Sequence, residues 1–254
     1  MSGPLYRDSP SLALRAGRAY AARTMTASLR AAFRRAVWAA PTLADPAPGR
    51  PLVVYANHHV YHDSFLLWHL LTRGLGRPMV VWMERWEQAP LFGPIGALPF
   101  PDGDPGSSPG QATRARAGTI RETVRRMTAD PRTALYLYPE GHMHPPEDGL
   151  LPFQTDLPRL ARLLPPATAF VPVGIRTSWW GQSRPTAILG AGEAHAPPDG
   201  GERERLAAVL ARLDAVRPVD LDVDNAITVF DGSPGPEERW NLSPVAPLFR
   251  RITF

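Results

Sequence analysis

Five consecutive apolar residues, Leu52-Val53-Val54-Tyr55-Ala56, run into a polar stretch, Asn57-His58-His59-Val60-Tyr61-His62-Asp63, and a second apolar run, Phe65-Leu66-Leu67-Trp68, follows. The first run is short and unbroken by polar positions, the pattern of a strand buried on both faces. Pro51 stands at its start, where a missing N–H matters least. Asp63 or Ser64 can accept hydrogen bonds from the free N–H groups of a first helical turn. The second run is therefore read as a helix to about Arg73, stopped by Gly74 and Gly76. A strand buried on both faces needs helices above and below it, and that requirement selects an α/β architecture.

The same alternation continues along the chain. Met79–Met83, Ala97–Phe100, Thr133–Tyr138, Ala167–Ile175, Arg184–Leu189 and Ile227–Phe230 read as strands. Gln111–Thr128, about 156–164 and Glu202–Val216 read as helices, and 84–95 as a short helix and turn. Residues 101–110 are Pro, Gly, Ser and Asp, the composition of an exposed loop. The expectation is a single α/β domain with a mostly parallel central sheet flanked by helices, preceded by an N-terminal basic helical segment. Composition divides the chain into residues 1–48, 49–216 and 217–254. The first holds a loose lead-in over 1–10, a helix over 11–40 and a Pro-rich linker. The last is an extension whose role the sequence does not define.

In the N-terminal helix, Leu29, Phe33 and Val37 share one stripe, and Arg15, Arg18, Arg23, Arg30, Arg34 and Arg35 fill much of the remainder. Two readings stand: a basic amphipathic helix lying in a membrane interface, or a helix packing a narrow apolar stripe on the domain. All 28 basic residues of the chain are Arg, and the net charge is +4. That modest excess suits an anionic membrane surface, an anionic substrate or nucleic acid and separates none of them. Without Cys, disulfides, a thiolate nucleophile and a Cys-bound zinc are excluded. No run approaches the roughly 20 apolar residues of a membrane span, and the first 40 residues lack the apolar core of a secretory leader.

The loop after a buried strand of an open α/β sheet is where ligands bind. His58 and Asp63 lie five residues apart across the strand-to-helix turn. A carboxylate bonded to one imidazole nitrogen fixes the tautomer and leaves the other nitrogen free to take a proton from a hydroxyl. The bland alternative is a polar loop whose histidines satisfy local hydrogen bonds. A second polar loop, Pro139-Glu140-Gly141-His142-Met143-His144, follows the Thr133–Tyr138 strand. In a parallel sheet it opens on the same edge as the first. A rival reading joins His58, His62, His142 and His144 with Asp63 in a metal site of a hydrolase.

The order of these pieces resembles the glycerolipid acyltransferases, the PlsC-like enzymes that acylate glycerol phosphates and lysophospholipids. Asn57-His58-x4-Asp63 matches the first motif of that family. Pro90-Leu91-Phe92-Gly93 with Gly96-Ala97-Leu98-Pro99-Phe100 is similar to the second, Tyr138-Pro139-Glu140-Gly141 to the third, and Val171-Pro172-Val173 to the fourth. Leu151-Pro152-Phe153 resembles a further segment between the third and fourth. The likeness runs over about residues 50–190 in the right order.

What the resemblance implies is an O-acyltransferase using acyl-CoA or acyl carrier protein as donor, with no other cofactor and no bound metal. His58 would be the general base, oriented by Asp63. Asn57, Pro139, Glu140, Gly141, His142 and Gln154 would form the substrate site. The partners implied are the donor thioester, a lipid-like hydroxyl acceptor and, by peripheral contact, the membrane, with no nucleic acid. A cytoplasmic protein at the inner face of the cell membrane is expected. Three departures bear on the acceptor. His142 and Met143 stand where the third motif has Thr-Arg, Gln154 where a Lys often follows Leu-Pro-Phe, and Pro101-Asp102-Gly103 where the second motif closes on Arg. Such cations grip phosphate by charge-assisted hydrogen bonds. Their loss predicts an acceptor without a phosphomonoester: a glycolipid, a pigment glycoside or a lysophospholipid. Arg114, Arg116 and Arg176 are the cations available to replace them. A standard lysophosphatidate acyltransferase is the alternative.

Overall fold

A computed structural model describes residues 11–102, 109–221 and 225–239. The lead-in, the central part of the 101–110 loop and the end of the C-terminal extension lie outside these. Eight strands form one sheet: β1 (Arg35–Trp38), β2 (Leu52–Ala56), β3 (Met79–Met83), β4 (Ala97–Pro99), β5 (Ala134–Leu137), β6 (Ala169–Ser178), β7 (Thr186–Ala191) and β8 (Ile227–Asp231). Their order is β4-β3-β5-β2-β6-β7-β1-β8. The pairs from β4 through β6 are parallel, as is β7 with β1, whereas β6–β7 and β1–β8 are antiparallel. The chain is thus a single α/β domain with a mostly parallel sheet.

Strand β2 lies at the centre and all five of its residues are buried. Its side chains alternate between the two faces. Leu52, Val54 and Ala56 join Met25, Leu29 and Phe33 of the N-terminal region and Phe65–Trp68, Leu70 and Leu71, whereas Val53 and Tyr55 join Met127, Leu157, Leu160, Leu206 and Leu210. Helices α1 (Leu12–Ala32) and α2 (Asp63–His69) therefore cover one face, and α3 (Pro109–Ala129), α4 (Leu157–Ala161) and α5 (Glu202–Asp214) the other. Helix α2 continues as one wider π turn, Leu70–Gly74.

The N-terminal segment departs from expectation. The helix read over 11–40 ends at Ala32, Phe33 is extended, and Arg35–Trp38 is a strand inside the sheet. Ala36 packs in the core beneath α1 and Val37 in the cluster on the opposite face, so the periodicity changes from helix to strand there. The hydrogen-bond partners of β1 come from β7 and β8, far along the sequence, which is why local pattern does not reveal it. The boundaries drawn at 48/49 and 216/217 are crossed by the sheet itself, since β1 comes from the first segment and β8 from the last. Helix α1 packs its stripe on the domain: Ala21, Met25 and Leu29 are buried, and Arg18 Nε donates to the Pro94 carbonyl at 2.8 Å. Arg15, Arg23 and Arg30 remain exposed with Leu12 and Tyr20.

At the N-terminal edge of the sheet Arg77 is buried and locks the strand entrances together. Its guanidinium donates to Asp45 Oδ1 from two nitrogens, at 2.9 and 2.7 Å, and to the carbonyls of Arg50, Arg132 and Ala47. The loops at the opposite edge carry the polar motifs.

Candidate active site

Asn57 ends β2 as a surrogate for backbone. Its side-chain amide donates to the Ile175 carbonyl at 2.9 Å, and its Oδ1 accepts the Ile175 N–H at 2.8 Å. The side chain is fully buried, so it binds β2 to β6 and fixes where the next residue emerges. That residue is His58.

His58 Nδ1 lies 3.1 Å from Asp63 Oδ2. The same oxygen accepts the N–H groups of His59 at 2.7 Å and Val60 at 2.9 Å. Three donors converge on one carboxylate oxygen at the start of α2, which selects the tautomer of the neutral His58 ring with its proton on Nδ1 and the lone pair on Nε2. The ring plane is set by Tyr138, stacked on it with 4.0 Å between centroids and 13° between planes. The Tyr138 hydroxyl lies 3.1 Å from Ser64 Oγ, and burial pushes its phenol well above the usual range, so it stays neutral. Asp63 is 1% exposed, whereas the His58 side chain is 20% exposed.

Glu140 is completely buried and faces inward. Its Oε1 accepts the His58 N–H at 3.2 Å, and its Oε2 meets His144 Nε2 at 2.6 Å and the Leu151 N–H at 2.8 Å. It therefore ties the first polar loop to the second. Pro139 is also buried, and its carbonyl accepts the N–H groups of Gln154 at 2.7 Å and Thr155 at 3.0 Å. Gly141 has φ +83°, and a Cβ there would lie 2.8 Å from Gln154 Oε1. Glycine is thus favoured by the backbone conformation, whereas the close atom is the end of an exposed side chain that can turn aside. His142 and Gln154 are exposed, with Gln154 Nε2 3.3 Å from His142 Nδ1. Of the residues assigned to substrate, His142, Gln154 and Gly141 face outward, while Asn57, Pro139 and Glu140 build the frame.

The other loop histidines diverge. His59 Nε2 accepts from Arg176 Nη1 at 3.2 Å and its Nδ1 lies 3.2 Å from the His144 carbonyl, an arrangement that needs a neutral ring. Burial lowers its pKa in the same sense. His62 turns away toward α1, with Nε2 3.1 Å from Ser28 Oγ and its ring edge-on to Phe33 and Phe65. His144 is engaged with Glu140. The metal-site reading required His58, His62, His142 and His144 around one point, whereas His62 points to Ser28 and His144 Nε2 is taken by Glu140. Among the described residues no group of three His, Asp or Glu is arranged to hold a metal ion.

The three replacement cations are occupied. Arg176 is bound in a fork by Asp214, at 2.5 and 3.0 Å. Arg116 bonds to Asp102 Oδ1 and the Pro101 carbonyl, each at 2.6 Å, over the Phe100 ring. Arg114 Nε donates to the Gly110 carbonyl of its own helix at 2.9 Å. Neither the Tyr138 stack nor the Asp214 partner was legible in sequence. Both depend on strands and helices that meet only in the fold.

Comparison with known proteins gives a family. Among curated proteins no sequence matches significantly. Among solved structures, the chain is similar to the 1-acyl-sn-glycerophosphate (LPA) acyltransferase PlsC from Thermotoga maritima, at 18% identity and a TM-score of 0.46, covering 82% of this chain and 81% of that one. A family model described as acyltransferase matches residues 39–176, more than half of the chain, from just past β1 to Arg176 in β6. The matched region contains both polar loops and the His58–Asp63 pair, and the chain belongs to the acyltransferase family.

Proposed function

We propose that this acyltransferase moves a fatty acyl group from acyl-CoA or acyl carrier protein to a lipid-like hydroxyl that bears no phosphomonoester. His58 Nε2 takes the proton of the acceptor hydroxyl, and the oxygen attacks the thioester carbonyl. The C–O bond forms, the C–S bond breaks, and His58 returns the proton to the departing thiolate. Asp63 keeps the ring in the required tautomer throughout and stabilises the transient imidazolium. The observation that carries this reading is the convergence of His58 Nδ1 and two backbone N–H groups on Asp63 Oδ2, which leaves Nε2 as a base at a partly exposed edge.

The acceptor class rests on charge. Positions that hold phosphate-gripping cations in the resembling enzymes fall here on Met143, Gln154 and the Pro101-Asp102-Gly103 stretch, and Arg176, the cation that reaches His59, is already paired with Asp214. A dianionic phosphate would have to compete with that carboxylate. His142 and Gln154 offer hydrogen bonds without a guanidinium or ammonium, which suit a sugar or a diester. Contact with the membrane is proposed through the exposed face of α1, where Arg15, Arg23 and Arg30 lie with Tyr20 and Leu12, and through exposed Trp179. Among the described residues no helix is long and apolar enough to cross a membrane. The reading is of a cytoplasmic enzyme at the inner face.

The test is thiol release from a long-chain acyl-CoA with lysophosphatidate, lysophosphatidylcholine, a sterol or carotenoid glycoside, or no acceptor. Acceptor-dependent release is expected, falling about 10³-fold in His58→Ala. Release indifferent to that substitution would remove His58 as the base. Preference for lysophosphatidate over the neutral acceptors would overturn the acceptor class.

A further inference from the structure

One ring of hydrogen bonds closes around the backbone of His58 and involves a residue to which the proposed chemistry gives no part. The His58 N–H donates to Glu140 Oε1 at 3.2 Å. Glu140 Oε2 meets His144 Nε2 at 2.6 Å. The His144 N–H then donates to the His58 carbonyl at 3.1 Å. Both main-chain polar groups of His58 are thus held from the second loop, the N–H by the Glu140 side chain and the carbonyl by the His144 backbone. The pair also reaches the next residue, because the His144 carbonyl lies 3.2 Å from His59 Nδ1.

The pair is built to be rigid. Glu140 is 0% and His144 6% exposed. His144 Nδ1 is fixed in turn, 3.0 Å from the Pro145 carbonyl. Glu140 Oε2 accepts a second donor, the Leu151 N–H. Removing the imidazole would leave a buried carboxylate oxygen with one partner fewer, and the His58 peptide would lose the brace behind its N–H acceptor. A general base must be held to within a fraction of an ångström, and small displacements of a reacting group lower the rate steeply.

We infer that His144 is a positioning residue for acyl transfer: through the buried Glu140 carboxylate and its own backbone it fixes the main chain from which His58 projects. It touches neither donor nor acceptor. The inference rests on the proposal that His58 is the base, and the two can fail separately.

Four variants test it: His144→Ala, His144→Gln, Arg77→Gln and His58→Ala. Each is assayed for thiol release with the acceptor the panel selects, and for amide hydrogen exchange across residues 57–62 by mass spectrometry. The exchange measurement needs no acceptor. For His144→Ala, kcat falls about 10- to 100-fold with the acceptor KM changed less than about threefold. Exchange of residues 57–62 accelerates at least about tenfold. The side-chain amide of His144→Gln, which can still donate toward Glu140, recovers part of both. Arg77→Gln, which destabilises the opposite edge of the sheet, lowers the melting temperature without the kcat loss or the local exchange change. The inference is overturned if His144→Ala leaves either kcat or the exchange unaltered, if Gln restores neither, or if Arg77→Gln reproduces the pattern. Turnover that survives His58→Ala would defeat the base assignment instead, and the exchange data would still decide whether His144 holds the loop.

Discussion

At the scale of single residues, the site separates side chains that act from side chains that hold. Asp63 holds: its Oδ2 gathers three donors from residues 58 to 60, two of them backbone, so the carboxylate shapes the loop as well as the tautomer of His58. An amide in its place has one oxygen that can still accept the backbone N–H groups. His58 Nδ1 lies against that same oxygen, so what the amide lacks is the negative charge that stabilises the transient imidazolium. Asp63→Asn is expected to keep the fold and lower kcat about 10³- to 10⁴-fold. Circular dichroism beside the thiol-release assay checks this, and a loss of less than about tenfold would remove that electrostatic role. His58 and Asp63 were legible because the first motif places them in one short loop. Asn57 and Glu140 were legible as important positions but not in their roles. Burial alone assigns them to the frame, and burial is decided by β6 and by the 144–151 segment.

At the scale of elements, the sheet recruits both ends of the chain. Strand β1 lies between β7 and β8, and the turn that follows β8 fits against the link between α1 and β1. Gly232 donates its N–H to the Arg34 carbonyl at 2.8 Å. A Cβ on Gly232 would stand 1.9 Å from the Phe33 carbonyl oxygen and 2.8 Å from its carbon, both backbone, so no side-chain rotation relieves the clash. Gly232→Ala is expected to destabilise the protein by about 3 kcal/mol, the upper range for overpacking. Hydrogen exchange in β8 should rise before that in β2. A melting temperature equal to that of the parent would show that β8 does not close the sheet at this point. The strands β2 to β6 could be read from their own apolar runs. Four-residue β1 could not, because Leu29, Phe33 and Val37 continue a helical stripe past the point where the helix ends.

At the scale of the whole molecule, the packing of helices on both faces buries histidines as neutral rings. Burial lowers the pKa of His59, His62, His69 and His195 below the ordinary 6.5. The unfolded chain then binds more protons than the folded one once the pH drops below about 6.5, so stability rises with pH through that window and is lost on acidification. The melting temperature is expected to fall between about pH 7.5 and pH 5.5, before the carboxylates titrate. A flat profile over that range would contradict it. What the sequence by itself determined is what neighbours in the chain can enforce. Buried strands alternate with helices, and a His58–Asp63 pair spans one strand-to-helix turn. Motif order gives the acyltransferase family. What only the tertiary structure decided is everything that joins distant segments: β1 and β8 in the sheet, Tyr138 beneath the imidazole, Asp214 on Arg176, and the Glu140–His144 pair behind His58. The physical reason is that hydrogen-bond partners and burial belong to the folded surface as a whole, and local periodicity records only which face of an element is apolar, not what will cover it.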